Sequence, residues 1–139
     1  MMKRKPNTNL YVNKHSVFLI QYHMVLVTKY RKPVLEGEIG EYVYKTIRES
    51  LENKNCHILE MNGEADHIHI LLESPPDVSA AEIVKVAKVI SARNVRKKYS
   101  EQLKKYYLKN VFWADGYFVS TVSENTLENV TRYIHNQAH

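Results

Sequence analysis

The sequence is poor in cysteine, has no long apolar run and shows no repeat, and each shortage narrows what the chain can be. A lone Cys56 excludes an intrachain disulfide and cannot build a cysteine cage around zinc. No apolar stretch approaches the ~20 residues that a membrane-spanning helix needs. Met1 to Lys14 carries basic residues without a following apolar segment, so no signal peptide is expected and the cytoplasm is the expected compartment. There is also no low-complexity tract or linker. With 139 residues the chain fits one domain, large enough to bury roughly two-thirds of its unfolded surface. A composition that is 44% hydrophobic and 25% charged excludes a disordered or membrane-embedded protein.

What the chain does have is positive charge and tyrosine. The formal charge is +5 and the sequence pI about 9.2, a balance that suits a polyanionic partner such as nucleic acid. Ten of the aromatic residues are tyrosines. Tyrosine combines a stackable ring with a hydroxyl, and it can act as a nucleophile. Most of the ten are expected simply to edge the core.

Residues 1–15 read as a flexible basic arm, and residues 16–139 as the domain proper. Ser16 to Thr28 reads as a long strand. Ile39, Val43, Ile47 and Leu51 recur at four-residue steps, which predicts an amphipathic helix over Glu36 to Lys54. Cys56 to Met61 and His67 to Glu73 read as a hairpin around Asn62–Asp66. Ser79-Ala80-Ala81-Glu82 is a capping box that opens a helix to about Tyr99. Val111 to Val122 reads as a last strand region bent at Ala114-Asp115-Gly116. A helix from about Glu124 to Gln137 follows, with Ser123 as its cap. That order predicts an α+β, ferredoxin-like split βαβ fold: an antiparallel sheet with both helices on one face, plus a C-terminal helix.

Within Asp66-His67-Ile68-His69-Ile70-Leu71-Leu72-Glu73, strand alternation puts His67 and His69 on one face and Ile68, Ile70 and Leu72 on the other. Two imidazoles about 7 Å apart at Cα suit joint coordination of a divalent metal. With seven histidines in the chain such a spacing also arises by chance, and a structural role fits it as well until a partner is found. The C-terminal helix offers one. Tyr133 and Gln137 lie four residues apart on one face, beside Leu127, Val130 and Ile134. A Tyr133 hydroxyl at the edge of that face could meet a metal-bound phosphate, and the Gln137 amide oxygen could be a third, neutral ligand to Mg²⁺ or Mn²⁺. Plain packing and solvation account for the same two residues when that helix is taken alone.

Together these stretches resemble single-tyrosine HUH (His-hydrophobic-His) transposases of the insertion-sequence 200/605 group. The resemblance rests on five segments in order: Tyr22–Arg31, Asp66–Leu72, the helix ending Ser91-Ala92-Arg93, Trp113–Val122 and Tyr133–Gln137. It implies an enzyme that recognises subterminal DNA hairpins, then cleaves and rejoins single-stranded DNA. Tyr133 is implied as the nucleophile, forming a 5′-phosphotyrosine and freeing a 3′-hydroxyl. His67, His69 and Gln137 are implied as metal ligands, with no nucleotide cofactor. A homodimer is implied as the active unit, in which a site can combine the His pair of one subunit with the tyrosine helix of the other.

From Lys85 to Lys109 there are nine basic residues against the single acid Glu101, a local +8. A charge run usually marks a solvated helix face. This one is unbalanced and interleaved with Tyr99, Tyr106 and Tyr107, which suits backbone contacts plus base stacking. Lys29, Arg31, Lys85, Lys88, Arg93, Arg96 and Lys97 are the candidate DNA contacts. Asp66 could orient a ligand, while His23, His57 and Cys56 read as structural. Two rival functions are a non-catalytic single-stranded nucleic-acid-binding module and a domesticated single-tyrosine nickase. Against the first, the glycine-aromatic run of the common RNA-recognition motif is missing.

Overall fold

Alternating apolar side chains decide how the central sheet is buried. Ile68, Ile70 and Leu72 of β6 (His67–Glu73) are fully buried, as are Met24 and Leu26 of the neighbouring β4 (Gln21–Val27). These residues form one core with Val43, Ile47 and Leu51 of α1 (Gly37–Glu52) and with Ile83, Val84, Ala87 and Val95 of α2 (Ala80–Lys98). Both long helices therefore cover the same face of the sheet, as the patterning requires. The computed structural model describes residues 2–122 and 126–136.

The main sheet has the order β5-β6-β4-β7, where β5 is His57–Glu64 and β7 is Phe118–Thr121, and every neighbouring pair is antiparallel. The chain thus runs strand, helix, hairpin, helix, strand, and the last strand inserts beside the first. This is the split βαβ arrangement expected from the order of elements. Ser79 caps α2 as expected, its hydroxyl accepting from the Glu82 N–H at 3.1 Å. A short helix α3 (Ser100–Leu103) follows α2, and α4 (Thr126–Asn136) is the C-terminal helix. Ser123, its expected cap, lies outside the described residues.

Three expectations need adjustment. Where the sequence suggests a flexible arm, residues 3–18 hold three short strands, β1 (Lys3–Arg4), β2 (Tyr11–Val12) and β3 (Val17–Phe18), in a second sheet. The cause is Glu73 at the end of β6, 1% exposed. Its Oε1 accepts from the Arg4 guanidinium at 2.7 Å and from the Tyr11 hydroxyl at 2.5 Å, and Oε2 accepts from the Gln21 amide at 2.9 Å. His57 Nδ1 approaches the same carboxylate at 3.1 Å. A buried carboxylate needs such donors, and most of them come from the first 21 residues.

The long first strand is divided into β3 and β4. The last strand is also shorter than expected. Trp113 makes a single bridge to Thr28 and the Ala114 N–H bonds the Val27 carbonyl, but regular pairing begins only at Phe118. Lys88 explains the bend: its ammonium donates to the carbonyls of Ala114, Asp115 and Gly116 at 2.8, 3.1 and 3.3 Å. A strand whose carbonyls point at one ammonium cannot also direct them along a sheet ladder.

Candidate active site

The sheet face opposite the two long helices carries the histidines. His67 and His69 stand on β6 with ring centroids 5.2 Å apart, and His23 on β4 continues the row 5.6 Å from His69. Antiparallel register sets Val27 opposite His67 and Val25 opposite His69. Alternation makes this unavoidable, because the intervening isoleucines must face the core.

His67 is 7% exposed, and its Nδ1 lies 2.7 Å from Asp66 Oδ1. An ionised carboxylate only accepts, so Nδ1 carries the proton in this bond and Nε2 is the ring nitrogen turned away from Asp66. Burial pushes His69 down, and the neighbouring His67 and His23 push it further, so that ring is neutral at physiological pH. Burial also lowers His23. Burial alone would raise Asp66, but hydrogen bonds from His67 and Arg31 outweigh it and hold the carboxyl below its ordinary value.

Two adjacent imidazoles, one oriented by a carboxylate on its Nδ1, fit a divalent metal. Among the described residues, ligand atoms of Glu64, Asp66 and His67 also lie within 4.8 Å of one another; Asp66 is already engaged by His67 and Arg31, which leaves Glu64 as the oxygen donor beside the ring. Gln137, the expected third ligand, lies outside the described residues.

The hairpin that carries His67 depends on Gly63, which pairs with Ile68. A Cβ there would lie 2.1 Å from the His67 carbonyl oxygen and 3.0 Å from the Ile68 Cα, both backbone atoms. Gly63→Ala must therefore push β5 away from β6 at His67. We expect it to cost about 2–3 kcal/mol in urea denaturation, as overpacking does, and to weaken Mn²⁺ binding as well. An unchanged midpoint and unchanged Mn²⁺ affinity would disprove this close approach.

Tyr133 comes to the histidine face from α4. It packs with Ile134 and Phe118 over Val25, Val27 and Ala114, its ring centroid 5.9 Å from that of Phe118. Val25 and Val27 are the cross-strand partners of the two histidines, so tyrosine and His pair share one face of one chain. The Tyr133 hydroxyl oxygen is buried and has no hydrogen-bond partner among the described residues. Burial raises its pKa. Gly116 makes room for it, since a Cβ at that position would sit 3.2 Å from the hydroxyl.

The basic residues divide into two groups. Lys29 pairs with Asp115 at 3.2 Å, Arg31 with Asp66 at 2.9 Å, and Lys88 is committed to the three carbonyls described above. Lys85, Arg93, Arg96 and Lys97 have no carboxylate partner among the described residues, and Arg93 and Arg96 line an open groove of about 430 Å³ with Trp113 and Asn110. The interleaved tyrosines differ from expectation. Tyr99 and Tyr107 are core residues, 8% and 6% exposed, and Tyr106 packs against the same core. Tyr107 instead ties two segments together, its hydroxyl donating to the Lys29 carbonyl at 2.8 Å. Tyr30 and Tyr117 carry exposed rings that no residue pattern marked, because their exposure follows from turns, not from periodicity.

The family model for IS200-like transposases matches residues 16–137, nearly the whole chain. The chain belongs to this family. It is 31% identical over 121 residues to the ISDra2 transposase TnpA of Deinococcus radiodurans, covering 87% of this chain and 86% of that one. It is 37% identical over 123 residues to the transposase for insertion sequence element IS200 of Salmonella typhimurium, covering 88% and 80%. A crystal structure of a Deinococcus radiodurans R1 protein described as a transposase superposes with a TM-score of 0.84 at 28% identity, covering 91% and 96%. A REP-associated tyrosine transposase bound to a REP hairpin shares the fold, with a TM-score of 0.56 at 10% identity over 88% and 68%. An IS200-like transposase is an enzyme, so among the expected readings the non-catalytic binding module is set aside.

Proposed function

We propose that this transposase is a metal-dependent single-stranded DNA endonuclease and strand transferase with Tyr133 as nucleophile. The observation that supports it best is the buried, unpartnered Tyr133 hydroxyl on the sheet face that carries His67 and His69. The Tyr133 oxygen attacks the scissile phosphorus, the bond to the 3′ oxygen breaks, and a 5′-phosphotyrosine and a free 3′-hydroxyl result. The phenol gives up its proton as it attacks. Attack by a second strand's 3′-hydroxyl on the phosphotyrosine restores both phenol and phosphodiester, so no nucleotide cofactor is consumed. His67, His69 and Gln137 would hold Mg²⁺ or Mn²⁺, with Asp66 fixing the His67 tautomer. The bound cation supplies Lewis-acid polarisation of the phosphate. Burial raises the Tyr133 pKa above its ordinary value, so the nucleophile starts as the neutral phenol.

The substrate in this reading is single-stranded DNA carrying subterminal hairpins, consistent with the hairpin held by a relative of the same fold. The acting unit is a homodimer by family resemblance, although Tyr133 packs on the sheet of its own chain. Arg93 and Arg96 supply phosphate contacts along the groove beside Trp113, and Lys85 and Lys97 add positive charge from the same helix. Arg93→Gln with Arg96→Gln should weaken hairpin binding and lower the slope of log K against log salt by about 1 per arginine. An unaltered slope would remove both from the interface. The deciding experiment incubates the protein with Mn²⁺ and labelled single-stranded DNA bearing the element's end hairpin. A covalent adduct that forms only with metal is expected; binding without adduct at saturating Mn²⁺ would refute the mechanism.

A further inference from the structure

We propose that Arg31 is a positioning residue for His67: through Asp66, its guanidinium fixes which ring nitrogen of His67 is left free. This rests on reading His67 as a metal ligand. The two oxygens of Asp66 are divided between two donors. Oδ1 faces His67 Nδ1 at 2.7 Å, and Oδ2 accepts from Arg31 Nε at 2.9 Å. A carboxylate held at both oxygens cannot rotate about its terminal bond, so its bond to His67 keeps one direction. Without the guanidinium only the imidazole would hold it, and the ring could turn or exchange tautomers.

The backbone around Arg31 is a second, independent observation. Tyr30 and Arg31 both lie in the left-handed region, at φ 58° and 53°, which side chains of this size rarely occupy. Such a conformation persists only where surrounding bonds fix it. Here they do. The Arg31 N–H donates to the Thr28 carbonyl at 2.9 Å, and the Thr28 hydroxyl donates to the Lys32 carbonyl at 2.8 Å. The Lys29 N–H bonds the Phe112 carbonyl, and Tyr107 caps the Lys29 carbonyl from outside the turn. Thr28, fully buried, also donates its N–H to the carbonyl of Asp66 at 3.0 Å, and that carbonyl, 3.1 Å from the Thr28 hydroxyl oxygen, shares the single hydroxyl proton with the carbonyl of Lys32. The turn that delivers the guanidinium and the residue that receives it are thus one bonded unit. A lysine or arginine needed only to touch phosphate would require no such turn.

The test uses the full-length protein with Arg31→Gln, Arg31→Lys, Asp66→Asn and His67→Ala. Three quantities are read: Mn²⁺ affinity without DNA, the long-range ¹H–¹⁵N spectrum of the His67 ring in metal-free protein, and binding of a hairpin-bearing oligonucleotide in EDTA. Arg31→Gln should lower Mn²⁺ affinity about 10–100-fold, mix the two His67 tautomers and leave hairpin binding in EDTA unchanged. Asp66→Asn should do the same, and Arg31→Lys should partly restore the wild-type spectrum. If Arg31→Gln does not fold, the tautomers of the other two variants carry the comparison. A wild-type His67 tautomer in Arg31→Gln, with hairpin binding reduced, would overturn the proposal and make Arg31 a phosphate contact. If His67→Ala leaves Mn²⁺ affinity unaltered, the ligand reading fails instead, and the tautomer spectrum alone decides the positioning role.

Discussion

Tyr133→Phe should abolish covalent adduct formation, by at least about 10⁴-fold as expected for loss of a nucleophile, while leaving the fold intact. The second half of this expectation comes from the packing. The hydroxyl is buried with no hydrogen-bond partner among the described residues, so its removal breaks no bond and relieves a desolvated polar group. The ring contacts with Phe118 and the valines of β4 remain. Stability should therefore stay within about 0.5 kcal/mol of wild type, or rise slightly. Adduct on a denaturing gel and a urea midpoint measure the two halves. Adduct at the wild-type rate would mean another nucleophile. A loss beyond about 1 kcal/mol would mean the hydroxyl is bonded after all.

The largest stability effect is expected at Glu73, far from the chemistry. Glu73→Ala leaves the buried Tyr11 hydroxyl with only His57 Nδ1 in reach, at 2.9 Å, and the Arg4 guanidinium without its carboxylate, and should cost about 3 kcal/mol. It should also release the small sheet of β1, β2 and β3, seen as faster amide exchange across residues 3–18. Glu73→Gln, which keeps the shape and one carbonyl acceptor, should fall between. Burial alone would raise the Glu73 pKa, but donation from Tyr11, Gln21 and His57 and the charge of Arg4 outweigh it, so the folded value lies below the ordinary one. Folded protein thus binds fewer protons there than unfolded protein. The stabilisation is complete above the unfolded value of about 4.3 and is lost as pH falls through the folded value. Wild type should lose stability on acidification, and Glu73→Ala should lose less over that range. Equal losses, with unchanged exchange at residues 3–18, would show that the carboxylate anchors nothing.

Periodicity carried the reading wherever a segment was amphipathic over its whole length. The four-residue steps of α1, the capping box of α2 and the alternation of β6 could each be read without a partner, because one buried face determines each pattern. The His pair followed from the same alternation. Segments decided by distant partners were different. Arg4 and Tyr11 look like parts of a polar arm until Glu73, 69 and 62 positions away, is placed beside them. Lys88 looks like one more exposed cation until three loop carbonyls converge on it. Tyr99 and Tyr107 look like stacking rings until α3 and the segment after it turn them into the core.

The shortage of cysteine has its counterpart in the candidate site: among the described residues, the side chains gathered at His67 offer imidazole nitrogen and carboxylate oxygen. Residue spacing alone set the order of the main-sheet strands and the long helices, the face on which His67 and His69 stand and, through its motifs, the resemblance to the IS200-like family. These are local facts, set by residue spacing along one strand or helix. Long-range packing set Tyr133 over the cross-strand partners of those histidines, brought Arg31 to Asp66, and committed Lys29 and Lys88 to their partners. Each of these joins residues from separate elements, and side-chain chemistry alone does not specify which distant donor will meet which acceptor. Burial of the sheet does.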